Sequence, residues 1–199
     1  MTIGELGFQR LLEPLWHPTL SPLIEALNDI AAKFAVDPCL VAAIARHESG
    51  WSKYAVSFDG NYGRGLMQID AGFHAFAELL VVYVEPIELV GESVGRPGRR
   101  VNVAASVAAG APVFDAHESL GYALEYLIAP ALRHYEQRVD QVECAVAAYN
   151  AGIGGVDHAI YEGRPPASAT YSPHYVANIL QTRAYLASQS ARNTHAPAA

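Results

Sequence analysis

Three carboxylates, Glu48, Asp59 and Asp70, follow one another closely along the chain, and the glycine-rich run "DGNYGRGLMQID" joins the two aspartates. A loop of that composition turns easily, so the three groups are able to face one cleft. Such carboxyl groups are the working parts of glycosidases. One gives a proton to the leaving oxygen, and a second acts as nucleophile or activates water, their separation deciding the stereochemical outcome. Glu48 is the candidate acid. It continues the helical face of Val41 and Ile44, and Gly50 is a plausible helix stop, so its carboxyl is expected in the last turn, beside the negative end of the helix dipole. Burial and the dipole both oppose ionisation there, which predicts a raised pKa and a proton kept near neutral pH. The plainer reading sends Glu48 past the helix end into solvent or onto Lys53.

Two rival chemistries fail on spacing. His47-Glu48 begins like a zinc-binding HExxH helix, but the position of the second histidine holds Trp51. The remaining histidines are scattered without ligand spacing, so no metal or other cofactor is expected. Ser49 adjoins His47 and Glu48, yet residues one and two apart on a helix point in different directions and form no nucleophilic relay. A sugar cleft also wants aromatic rings and neutral hydrogen-bonding groups. Tyr54, Tyr62, Gln68, Tyr149, Asn150 and Tyr175 supply them, although each alone reads as a packing or capping residue.

The ordered set "RHESGW", "GRGLMQID", "AAYNAG" and "YVANIL" resembles the lysozyme-like domain of goose-type lysozymes and soluble lytic transglycosylases over roughly residues 22 to 186. The resemblance implies cleavage of the β-1,4 bond between N-acetylmuramic acid and N-acetylglucosamine in peptidoglycan. It makes Glu48 the general acid, with Ser49 beside it. It also implies that Met67 and Gln68 of "GLMQ" line the central sugar subsites, that Tyr149 and Asn150 lie along the cleft, and that Tyr175 stands near the catalytic carboxyl. Transglycosylases of this kind lack a second catalytic carboxylate and let the muramic C6 hydroxyl attack, leaving a 1,6-anhydro end. Goose-type members hydrolyse, and their pattern includes aspartates at the positions of Asp59 and Asp70. The expectation drawn is a goose-type muramidase acting by inverting hydrolysis, with a lytic transglycosylase as the alternative. A chitin-directed hydrolase and a non-catalytic sugar-binding module are more distant rivals. For Asp70, capping of a following turn is the competing reading.

The elements that must position these groups are mainly helical. Ser21-Pro22, Asp37-Pro38 and Ser172-Pro173 have the form of a cap followed by proline at the first helical position, and "DAHE" at Asp115 has the capping-box pattern. A further helix begins at Asp140 and ends at Gly152, and Pro130 is expected to kink the helix in which it lies. Residues from Trp51 to Asp70 read as turns and short irregular strands. "HAFAELLVVYV" fits a short helix or a strand. The fold expected is a lysozyme-like α+β domain over residues 1–188, helical with a small irregular loop or β wall beside the cleft. Residues 86–113 are expected as a surface insertion and 189–199 as a disordered tail.

The 199-residue chain is 51% hydrophobic and 17% charged, enough for one substantial core. Its formal net charge of -7 argues against nucleic acid or an anionic membrane as main partner. Peptidoglycan glycan strands are the expected partner, met as a monomer, and no apolar run is long enough for membrane insertion. Cys39 and Cys144 read as buried free thiols, with pairing left open. The N-terminus has no recognisable signal peptide, so action on the cell wall is expected to follow holin-type release, injection or dedicated export.

Overall fold

The computed structural model describes residues 20–57, 62–78, 84–86, 99–101 and 103–193. Contacts within the chain divide it into two compact units, residues 48–119 and the segments on either side of them.

The flanking unit is helical. Helix α1 (Leu20–Lys33) buries Ile24, Ala26, Leu27 and Ala31. Helix α2 (Pro38–Ser49) starts where Asp37-Pro38 said it should: Asp37 Oδ1 accepts the backbone N–H of Cys39 at 2.9 Å, and proline occupies the first helical position. Every residue from Pro38 to Ala45 is buried. Each fully buried Leu or Ile there contributes roughly 1.5–3 kcal/mol of transfer free energy. The second oxygen of Asp37 accepts Nε of Arg183 at 2.7 Å. One carboxylate thereby caps α2 and ties it to the last helix.

Helix α5 (Ala116–Ala123) has the predicted cap, with the N–H of Glu118 donating to Asp115 Oδ1 at 3.1 Å. Pro130 acts differently from a simple kink. The five residues Leu124–Ile128 ahead of it form a π-helical turn, and α6 (Ala129–His134) resumes beyond. The proline has no N–H to give the carbonyl four residues back, and the chain widens so that the N–H of Ala129 reaches Leu124 O instead. Helix α7 (Gln141–Tyr161) is interrupted at Gly152, where φ is 72° and ψ 157°. "AYNAG" thus ends one helical run as expected, and a second run follows at once. Helix α8 (Tyr175–Asn193) begins two residues after Ser172-Pro173 and buries Val176, Ile179 and Leu186. It runs past the 188 boundary expected for the domain, with Gln189 and Ser190 buried, so of the expected tail only residues 194–199 lie outside the described residues. Cys39 and Cys144 are both buried and are not joined in a disulfide.

The unit of residues 48–119 holds the small wall. Strands β1 (Gly63–Arg64) and β2 (Ile69–Asp70) pair antiparallel, Gly63 with Asp70 and Arg64 with Ile69, and Val56 bridges to Arg64. Leu66, Met67 and Ile69 are fully buried beneath this hairpin. "HAFAELLVVYV" resolves into both of its readings: helix α3 (Ala75–Glu78) and, from Val84, strand β3 (Val84–Pro86), paired antiparallel with β4 (Arg99–Val101). The stretch 86–113, expected as a weakly structured insertion, therefore carries β4 and α4 (Val103–Ala108), and the 3-10 turn Pro112–Phe114 starts before its end. Ser106, Ala111 and Val113 are buried, as is Phe114 just beyond its end, so these side chains join the core of this unit. Alanine-rich "VAASVA" favours helix, and two large apolar residues after it supply an anchor.

Candidate active site

Glu48 stands in the last turn of α2, half-buried, as the apolar spacing ahead of it predicts. The helix stops there because Gly50 and Trp51 both take left-handed backbone, φ 60° and 66°. The second of these is strained for a tryptophan and is held by burial of the ring. Ser49 is half-buried too, and its carbonyl accepts the N–H of Ser52 at 3.1 Å. Lys53, the alternative partner for Glu48, lies 5.1 Å over the ring of Tyr54.

The glycine-rich wall is organised by Gln68. Its backbone is left-handed, φ 46°, and its amide Nε2 donates to the carbonyls of Gly65 at 2.9 Å and Ala55 at 3.2 Å. Gln68 thus closes its own turn and joins it to the preceding segment, while staying only partly buried. Met67, expected to line the sugar subsites, has no exposed surface and is a core side chain of the hairpin. The rings of Tyr54 and Tyr62 are exposed in the same unit.

Asp70 is committed to the turn that follows it. Its Oδ1 accepts the N–H of Gly72 at 2.7 Å, and its carbonyl accepts the N–H groups of Phe73 at 3.2 Å and His74 at 2.9 Å. That is the capping role which the sequence left as an alternative. Asp59 lies outside the described residues. A residue missed at the level of sequence is Arg64, which is buried in β1. Its Nη1 donates to Gly63 O at 3.0 Å, its guanidinium lies 5.9 Å over Tyr62, and its Nε is buried without a partner. Burial pulls its pKa down, and the charge of Asp70 works the other way. A cation directly ahead of "GLMQ" in a two-residue strand was the available signal.

The other candidates belong to the flanking unit. Tyr175 is 4% exposed, and its ring meets that of His47 edge-on, with centroids 4.7 Å apart and planes at 81°. Asn150 is exposed, and its Oδ1 accepts the backbone N–H of Tyr171 at 3.0 Å. Tyr149 precedes it, half-buried. Among the described residues, no three of His, Cys, Asp and Glu are grouped to hold a metal ion, and no helix is long and apolar enough to cross a membrane.

The fold is mainly helical with a small antiparallel wall, in keeping with a lysozyme-like α+β architecture. Residues 25–78 match the family described as Transglycosylase SLT domain. The match takes in most of α1, all of α2 with Glu48, and the hairpin with Gln68 and Asp70, and it supports the lysozyme-like and transglycosylase superfamily without singling out its goose-type branch. The chain is thus an enzyme of the glycoside hydrolase or lytic transglycosylase kind, with peptidoglycan as the implied substrate. Comparison with curated proteins gives no match.

Proposed function

We propose that this chain is a lytic transglycosylase that cleaves the β-1,4 bond following N-acetylmuramic acid, with Glu48 as the group that first gives and then takes a proton. The Glu48 carboxyl protonates the glycosidic oxygen as the bond from C1 breaks and N-acetylglucosamine departs. The C6 hydroxyl of the same muramic residue then attacks C1, and its proton passes to the Glu48 carboxylate. A C1–O6 bond replaces the C1–O4 bond, no water is consumed, and Glu48 ends protonated as it began.

The observation that carries the choice of nucleophile is the bond from Gly72 N–H to Asp70 Oδ1 at 2.7 Å. That bond ties one oxygen of Asp70 to its own turn, whereas inverting hydrolysis requires a second carboxyl group roughly 6.5–9.5 Å from the acid and turned toward an attacking water. The family match, to a transglycosylase domain, supports the same side. Goose-type hydrolysis is the second reading, and the presence of Asp59 in the sequence favours it. Ser49, Gln68, Tyr149, Asn150 and Tyr175 stay the candidates for sugar contact, and the cell wall is the proposed place of action.

Mass spectrometry of a peptidoglycan digest tests this. Mainly 1,6-anhydro muramic ends are expected, with Asp70→Asn retaining that product. Glu48→Gln should remain folded and lose at least about two orders of magnitude in rate, the low end for a positioned general acid. Mainly reducing muramic ends, abolished by Asp59→Asn, establish the hydrolase instead. Clearance of chitin but not of cell walls removes peptidoglycan as substrate, and binding without cleavage of either makes the chain a sugar-binding module.

A further inference from the structure

Arg46, His47, Asn178, Gln181 and Thr182 line a recess of about 370 Å³ in the flanking unit, between the last turn of α2 and one face of α8. All five side chains are polar. Residues 178, 181 and 182 share that face through the three- and four-residue spacing of a helix. Arg46 is fixed there: its Nη1 donates to Thr182 Oγ1 at 3.1 Å. In a chain of net charge -7, Arg138, Arg164 and Arg183 each pair with a carboxylate, but Arg46 is held by a hydroxyl, and no carboxylate among the described residues pairs with it. A guanidinium presents five donors, so the bond to Thr182 leaves its fork open to a planar anion. His47 keeps an exposed edge, and burial of the rest of its ring, with the Arg46 charge beside it, pushes its pKa below the ordinary value.

We propose that this recess is a carboxylate subsite, in which Arg46 receives an acidic group of the substrate while the amides of Asn178 and Gln181 hydrogen-bond the groups next to it. The assignment rests on peptidoglycan being the substrate. There the acid is either a carboxylate of the peptide stem or, on strands without stems, the lactyl carboxylate of muramic acid itself.

NMR titration of the full chain separates these sources without requiring turnover. The probes are muramyl dipeptide, free N-acetylmuramic acid and its uncharged methyl ester. Both acids should perturb the resonances of His47, Asn178 and Gln181, and Arg46→Gln should weaken them about tenfold, the loss of one charge-assisted hydrogen bond, without weakening the ester to the same degree. Tighter binding of the dipeptide identifies the stem as the source, and tighter binding of free N-acetylmuramic acid identifies the lactyl group. Arg46→Lys keeps the charge and should retain part of the affinity, which guards against a folding defect in the glutamine variant. The subsite is overturned if the ester binds as tightly as the acids, or if Arg46→Gln leaves the affinity of both acids unchanged. An enzyme that cleaves no peptidoglycan but binds these acids through Arg46 overturns the proposed function alone.

Discussion

The backbone carbonyl of Val113 occupies the space that a β-carbon on residue 65 would need, so Gly65 is the only side-chain choice that lets the Pro112–Phe114 turn pack against the "GLMQ" hairpin. The φ of Gly65, 71°, adds a second reason. Gly65→Ala should therefore destabilise by at least about 2 kcal/mol, the sum of a left-handed alanine and an overpacked contact. Urea unfolding measures it, and loss of activity should follow the loss of folded protein.

The edge-on contact of Tyr175 with His47 separates the ring of the tyrosine from its hydroxyl. In Tyr175→Phe the ring still packs, so stability should fall by less than about 1 kcal/mol, while turnover falls roughly tenfold if the hydroxyl serves the reaction. Melting temperature and kcat measured on the same preparation decide this. Equal losses in both would make Tyr175 purely a core residue.

Acid stability should depend in part on the loop before α7. Arg138 donates to both oxygens of Asp140, at 2.8 and 2.9 Å, and those bonds hold the Asp140 carboxyl below its usual range. Because the folded pKa is depressed, the stabilisation is full above about pH 4 and is lost as pH falls through the folded value. Arg138→Met should remove that contribution near neutral pH and leave the strongly acidic end of the curve unchanged. The effect is expected to be modest, since both side chains meet solvent. Denaturant midpoints across the acidic range test it.

What the sequence revealed and what it hid differ in the range of the interactions involved. The caps at Asp37 and Asp115 were legible because each joins groups only two or three residues apart. The position of Glu48 was legible because helical spacing alone puts it on the buried face of α2. By contrast, the amide of Gln68 closes a bond to Ala55, thirteen residues away, and nothing local in "GLMQ" shows that this glutamine is a structural tie. That the side chain of Met67 faces inward was hidden for the same reason, since only the packed hairpin shows it. Within 86–113, the packing of Val113 was hidden because its carbonyl meets Gly65, far away in the sequence. Asp70 offered both a cap and a catalytic base, and the N–H of Gly72, two residues on, makes the first of these visible.

The two cysteines give the molecule a built-in clock. A thiol reacts as its thiolate, and burial together with the Asp37 charge pushes Cys39 up to about 11, while burial also raises Cys144. Neither sulfur is exposed, one lying in α2 and the other in α7. A disulfide reagent applied to the native chain at mildly alkaline pH therefore has nothing to attack until the helices separate. The rate at which colour develops counts how often α2 and α7 open, and the two sites need not keep the same time.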